Sequence, residues 1–241
     1  MLIIAHRGAS HDAPENTLAS MKLAWEAGSN AVECDVRLTS DRRIAVIHDA
    51  DTRRTTDGNL TVVDSTLAQL KELDAGSWKA ARFAGCTIPS LEEFVDAVPQ
   101  KKGLVVEVKC GPEIARPLAE LLGDPVTQKV ISFNREVLKE FGRLRPDVPR
   151  MLLSTGSFKF SWGPEPPPLE ELIKFAVEQG LEGLSLLHSG FDEPFVREVH
   201  EAGLKLHAWA VDDPGHAIEL KQWGIDGLAT NRPGYLRTFL R

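Results

Sequence analysis

Short apolar runs alternate along this chain with amphipathic stretches, and a glycine often closes the amphipathic one. Runs over 2–5, 31–38, 43–48, 104–109, 130–133, 150–153, 183–187, 205–211 and 227–230 read as strands. Apolar residues at helical spacing predict helices over 17–27, 91–97, 113–122, 136–144, 169–179, 194–202 and 214–223. The first of these has Asn16 or Thr17 as its cap and Gly28 beyond its end. Such alternation implies a mostly parallel sheet covered by helices. The nine predicted strands are one more than an eight-stranded barrel needs. The extra one is 43–48, because only residues 39–43 separate it from its predecessor and a parallel crossover needs about a dozen or more. The two strands therefore form a hairpin. Centred near Asp41, it sets His48 opposite Cys34, level with Glu33 and Asp35. Eight parallel strands remain, so the expected fold is α/β, a (β/α)₈ barrel.

Residues 51–88 break the alternation. They carry TTDGNLTVVD and a short helix-like STLAQLKEL, and are read as a small insertion over the barrel mouth within a single domain spanning 1–241. Residues 154–168 are also irregular, with four prolines and the aromatics Phe158, Phe160 and Trp162. They form either a rim loop that touches substrate or a loop packing its own aromatics.

The length of 241 residues suits one barrel domain, and 42% apolar with 26% charged residues excludes a disordered chain. The net charge of −7 leaves no basic footprint for nucleic acid or an anionic membrane. No apolar run reaches the roughly 18 residues of a membrane span. The opening MLIIAHRG has no basic region before its apolar run and no cleavage-site pattern, so a signal peptide is not expected. Cys34, Cys86 and Cys110 are odd in number and lack metal-site spacing, which fits a reducing, cytoplasmic setting.

Charge inside strands changes the picture most. Glu33 and Asp35 lie two residues apart on one strand face, and Glu107 and Lys109 repeat the device. An unpaired charge in a buried parallel strand is very costly, so an opposite charge must be present. Three carboxylates at one mouth with no cysteine nearby suit one hard divalent cation, Mg²⁺ or Ca²⁺. The competing explanation is a buried ion pair between Lys109 and one carboxylate, or an exposed hairpin face. His6 and His48 end strands where barrel enzymes carry their chemistry, which makes them acid–base candidates. Arg7 offers donors to a phosphate, and Gly8 permits close backbone approach. His11 and His188 are further mouth candidates, His200 and His216 read as helix-surface residues, and the orientation of His207 is left open, outward included.

Several separated motifs now stand in one order. They are His6-Arg7-Gly8 with Pro14-Glu15-Asn16-Thr17, then Glu33-Cys34-Asp35, Ile47-His48-Asp49 and Arg54-Thr55-Thr56-Asp57-Gly58. Ile88-Pro89-Ser90-Leu91-Glu92-Glu93, Glu107-Val108-Lys109, Ser132-Phe133, Trp209 and the GIDGLATNRP run over 224–233 follow. In this order the chain resembles the glycerophosphodiester phosphodiesterases, of the bacterial cytosolic type, over nearly its whole length. The resemblance implies a (β/α)₈ barrel with a small insertion, and a role in glycerol and lipid metabolism. It implies Glu33, Asp35 and Glu107 as metal ligands, His6 and His48 as the acid–base pair, and Arg7 and Lys109 as phosphate contacts. It also implies a small-molecule glycerophosphodiester substrate, cleaved to glycerol 3-phosphate and an alcohol. The path is either through a cyclic phosphate or by direct attack of water. The chain departs from the family at Ala210, where Thr is frequent, and at Asn231, where Asp is frequent. Trp209 and Phe133 are candidates for an apolar wall beside the glycerol carbons or for ordinary barrel filling. Ser132 is a possible hydrogen-bond donor, and Glu15 either pins the loop after Arg7 or only starts the first helix. Two other readings stay open: a lysophospholipase D on the same barrel, and a non-catalytic phosphodiester binder.

Overall fold

The computed structural model describes residues 1–159 and 166–240. Its strands are β1 (Leu2–Ala5), β2 (Ala31–Leu38), β3 (Ile44–Val46), β4 (Gly103–Val108), β5 (Gln128–Ser132), β6 (Arg150–Ser154), β7 (Gly183–Leu187), β8 (Lys205–Trp209) and β9 (Gly227–Thr230). Its helices are α1 (Leu18–Glu26), α2 (Leu67–Lys71), α3 (Leu91–Asp96), α4 (Ala115–Leu121), α5 (Arg135–Leu144), α6 (Leu169–Glu178), α7 (Glu193–Glu201), α8 (Pro214–Trp223) and α9 (Pro233–Arg237). The strands run in the order β1-β9-β8-β7-β6-β5-β4-β2-β3, and a β1–β2 pairing closes the ring. Every pairing is parallel except β2–β3. The result is the expected eight-stranded parallel barrel wrapped by helices, with β3 as the hairpin strand outside it. The hairpin pairs Val36 with Val46 and Leu38 with Ile44, so its centre is at Asp41. Strand β3 itself stops at Val46, two residues before His48.

Side-chain alternation along each strand divides the core in two. One set, including Val32, Cys34, Val36, Leu104, Val106 and Leu184, packs against the helices. The other fills the barrel with Ile4, Ala31, Val105, Ile131, Met151, Leu153 and Ala229. Local chemistry starts the helices where the sequence places them. Thr17 caps α1 with a capping box shared with Ser20, and Ser90 does the same for α3 with Glu93. Asp192 and Asp213 cap α7 and α8. The short α9 was not foreseen, because its Pro-Gly-Tyr-Leu-Arg run is too brief for a periodic signal.

The 51–88 segment has a small core of its own. Val62, Leu67, Leu70, Ala75 and Ile88 pack with Ala45 and Ile47 of the hairpin. Lys79 Nζ donates to the Ser10 carbonyl at 2.8 Å and Arg82 to that of Asp12 at 3.1 Å, which ties the segment to the loop after β1.

Candidate active site

The site begins at a gap in the ladder of β2. Strand β1 pairs only with Ala31 and Val32, and β3 pairs with β2 from Val36 onward. Between them the edge of Glu33–Asp35 meets the loop after β1. The Arg7 N–H donates to Glu33 Oε2 at 2.8 Å. Asn16 Oδ1 accepts from the Asp35 N–H at 3.1 Å, and Asn16 Nδ2 donates to Asp35 Oδ2 at 2.8 Å. A side-chain amide thus replaces the missing strand. Arg7 and Asn16 both sit at φ 57°, a left-handed conformation that these contacts hold in place. Gly8 follows at φ 79°, where a Cβ would come within 2.4–2.6 Å of Ser20.

Glu33, Asp35 and Glu107 are all buried, and one oxygen of each lies within 4.8 Å of the others. Asp35 and Glu107 are cross-strand neighbours, so the cluster follows directly from register. Lys109 Nζ contacts Glu107 Oε1 and lies 3.3 Å from Asp35 Oδ1, and Arg7 Nε lies 3.1 Å from Asp35 Oδ2. Glu33 Oε1 is buried without a hydrogen-bond partner among the described residues. Burial, followed by the charge of Asp35, pushes both Glu33 and Glu107 up to about 8. Burial pushes Asp35 up as well, but Arg7 and Lys109 outweigh it and hold that carboxyl below its ordinary range. The mouth carries five carboxylates (Glu15, Glu33, Asp35, Asp49 and Glu107) against three permanent cations (Arg7, Arg54 and Lys109). An all-oxygen donor set, an unsatisfied buried oxygen and, once Glu33 and Glu107 are ionised, excess negative charge together fit a hard divalent cation. The ion pairs of Lys109 exist as the competing explanation foresaw, yet they engage Asp35 and Glu107 and leave Glu33 Oε1 without a hydrogen bond.

Both candidate histidines face the same cavity of about 440 Å³, together with Arg7, Glu33, Glu107 and Lys109. Each ring is held through Nδ1. His6 Nδ1 lies 2.8 Å from Asn231 Oδ1. Asn231 Nδ2 donates to Asp212 Oδ2 at 2.7 Å, so Oδ1 is the end that accepts from His6. His48 Nδ1 donates to Asp49 Oδ1 at 2.6 Å. In both rings Nδ1 therefore carries hydrogen and Nε2 is left for proton transfer. His6 Nε2 stands 4.0 Å from Glu33 Oε2. Burial lowers both imidazoles below their ordinary value; Asp35 opposes it at each ring, Asn231 at His6 and Asp49 at His48.

Phe133 and Trp209 meet edge to face, with centroids 5.7 Å apart, on the wall of the same cavity. Trp209 Nε1 donates to the Ser185 carbonyl at 3.0 Å. The other histidines fall elsewhere. His207 points into the barrel and is 3% exposed, so the outward orientation left open for it is not the one adopted. It fits because β8 presents 205, 207 and 209 to one face and Gly227 makes room: a Cβ there would lie 2.8 Å from the ring. His216 is partly buried against His188, with centroids 4.9 Å apart, rather than free on the surface of α8. His11 is exposed and pairs with Asp12, and His200 pairs with Asp226. Ser132 Oγ donates to the Val108 carbonyl and accepts from the Asn134 N–H, a role at a strand end. Phe160 and Trp162 lie outside the described residues, and Phe158 is 39% exposed.

Asn16, Asp49, Arg54, Asp212 and Asn231 were missed as site residues by sequence reasoning. Asp49 carried a signal, because it directly follows a strand-end histidine. Asn231 stood out only as a departure within a motif, and Asp212 carried no signal, since Asn231 bonds it and also reaches His6 from more than two hundred residues away.

Comparison with known proteins identifies the family. The model of the glycerophosphoryl diester phosphodiesterase family matches residues 6–235. The chain belongs to this family. Among family relatives, a glycerophosphodiester phosphodiesterase of Caldanaerobacter subterraneus is 33% identical over 248 residues, covering 100% of this chain and 98% of that protein. One from Bacillus subtilis is 32% identical, covering 97% of this chain and 84% of the relative. A solved structure of an Oleispira antarctica phosphodiesterase in complex with the product sn-glycerol-3-phosphate superposes with a TM-score of 0.88. It is 31% identical and covers 100% of this chain and 96% of that one. Among the described residues, no helix is long and apolar enough to cross a membrane.

Proposed function

We propose that this chain hydrolyses glycerophosphodiesters to glycerol 3-phosphate and an alcohol, with His6 and His48 as the acid–base pair. The observation that carries the reading is the pair of imidazoles, each anchored through Nδ1, on one cavity with three buried carboxylates. Family membership and the product-bound Oleispira structure support the substrate class. Glu33, Asp35 and Glu107 would hold one divalent cation, Mg²⁺ or Ca²⁺. When bound, such an ion supplies Lewis acidity toward phosphoryl and hydroxyl oxygens. Arg7 and Lys109 contact the phosphate and stabilise charge developing on its oxygens. One histidine takes the proton of the glycerol hydroxyl next to the phosphate while that oxygen bonds to phosphorus. The bond from phosphorus to the leaving alcohol breaks, and the other histidine protonates that alcohol. Water then opens the cyclic phosphate with the proton transfers reversed. Direct attack by water on the same cavity would use the same two groups. Of the remaining readings, a lysophospholipase D wants an apolar entrance, and a non-catalytic binder would lack a histidine or a carboxylate that this chain keeps. The protein is read as cytoplasmic, and as acting on a small molecule rather than on nucleic acid.

The test is release of glycerol 3-phosphate from glycerophosphocholine with Mg²⁺ or Ca²⁺, against a chelator control. Metal-dependent release supports the reading. No release with either metal, from this or other headgroups, would overturn it in favour of a lysophospholipid substrate or a binding role. In this reading Trp209, which lines the cavity, forms the apolar wall beside the glycerol carbons. Trp209→Ala is expected to raise KM about tenfold, the loss of roughly 1.4 kcal/mol of apolar contact, with a smaller effect on kcat. An unchanged KM would assign Trp209 to barrel filling alone.

A further inference from the structure

One side chain of the 51–88 segment, that of Arg54, bonds to two carboxylates of the site. Arg54 Nε lies 2.6 Å from Asp49 Oδ2, and its two terminal nitrogens each lie 2.8 Å from an oxygen of Glu15. One guanidinium therefore forks onto Glu15 and spends its third donor on Asp49. Each carboxylate gives its other bond to a site residue. Asp49 Oδ1 accepts from His48 Nδ1 at 2.6 Å, and Glu15 Oε1 accepts from Arg7 Nη1 at 2.9 Å. We propose that Arg54 is a positioning residue, which locks the His48 imidazole through Asp49 and the Arg7 guanidinium through Glu15. This rests on the reading of His48 and Arg7 given above.

The turn that presents Arg54 is stiff. Thr52 is fully buried, its hydroxyl donates to the Gly58 carbonyl at 3.0 Å, and it accepts from the Leu60 N–H at 3.0 Å. Thr56 Oγ1 donates to the Thr52 carbonyl at 2.8 Å. A fixed backbone aims the Arg54 side chain at the two carboxylates. The segment does not depend on Arg54 for its own fold, because a separate core and the bonds from Lys79 and Arg82 hold it. The Arg54 side chain is 46% exposed, and exposed pairs contribute only about 0–1 kcal/mol to stability. Its loss therefore shows in catalysis far more than in folding. Burial would raise the Asp49 carboxyl, yet the bonds from Arg54 and His48 hold it down at about 2. The other charged groups acting on His48 are Asp35 on β2, Arg7 on the first loop and Lys109 beyond β4. Taking the cation away from Asp49 leaves its full negative charge on the imidazole, so the His48 titration moves to higher pH.

The experiment compares Arg54→Gln, Arg54→Lys and the neighbouring control Arg53→Gln, whose side chain pairs with Asp51 outside the site. For Arg54→Gln, kcat is expected to fall about 10²-fold, the scale of a misplaced reacting group, and KM to rise through Arg7. Its melting temperature should stay within a few degrees of wild type. Arg54→Lys keeps the charge and loses the fork, so the His48 titration returns while kcat recovers only in part. Arg53→Gln should match wild type throughout. The His48 titration is read by NMR in the same variants, its resonance assigned by its loss in His48→Gln. A kcat for Arg54→Gln within twofold of wild type, or an unmoved His48 titration, would overturn the proposal. Absence of turnover in the wild-type enzyme would instead sink the assigned activity, and the NMR arm would still decide whether Arg54 acts on His48. Should Arg54→Gln fail to fold, Arg54→Lys decides: wild-type kcat there would overturn the fork.

Discussion

His48→Ala is expected to lower kcat by about 10²–10⁴-fold, the range of a positioned general acid or base, and His6→Ala should do the same. The two losses should not add, because proton removal and proton donation serve one displacement. The geometry sets the expectation for each ring separately. His48 is oriented by a carboxylate and His6 by an amide whose own direction Asp212 enforces. Removing either imidazole leaves the metal carboxylates, Arg7 and Lys109 in place, so substrate binding should be largely kept and KM should change little. Steady-state kinetics on glycerophosphocholine, with circular dichroism to confirm the fold, measure this. Near-normal turnover in either variant would remove that histidine from the chemistry.

The arrangement that makes this prediction possible was partly written in local sequence. The barrel was legible because parallel strands buried on both faces leave continuous apolar runs, and because five residues cannot make a parallel crossover. The same hairpin argument gave the pairing centre at Asp41, but the ladder ends at Val46, and Arg7 and Asn16 rather than His48 meet the edge of Glu33–Asp35. The carboxylate cluster was legible because charge at alternate positions of a buried strand demands an explanation. What local pattern could not carry was the shell around these groups. Asn231 reaches His6 from the far end of the chain, and closure of the barrel by β1 and β9 brings them together. Asn16 reads as a plain helix-capping residue, and only the gap in the β2 ladder gives its amide a strand to complete. Arg54 sits in a polar loop where charge is ordinary, and the stiffness of its turn becomes visible only in three dimensions. His207 shows the complementary limit. A lone histidine in a strand does not say which face it takes until the small partner Gly227 is known to lie beside it.

Divalent-cation binding is expected to strengthen as pH rises toward 8 and to level off above it. Glu33 and Glu107 are both pushed up to about 8 in the protein without metal, first by burial and then by Asp35. A metal ligand must be deprotonated, so below that pH each incoming ion displaces protons from these two groups. Each group steepens the affinity by up to about tenfold per pH unit between roughly pH 5 and 8. The sign for stability is the opposite. Glu33 and Glu107 hold protons that the unfolded chain releases near 4.5, whereas His6, His48, His188 and His207, all lowered by burial, act with the opposite sign below about 6.5, so the melting temperature of the metal-free protein should fall as pH rises from about 6.5 to 8. Saturating Mg²⁺ or Ca²⁺ should cancel the fall, because the ion replaces the protons as the partner of the carboxylates. Glu107→Gln removes one of the two titrations and one ligand. It should weaken metal affinity at pH 8 by at least tenfold and roughly halve the slope of log affinity against pH. Titration calorimetry in two buffers of different ionisation enthalpy reads the released protons directly. A metal affinity that is flat from pH 6 to 8, with no proton release and no change in Glu107→Gln, would return the three carboxylates to the role of structural partners for Lys109 and Arg7.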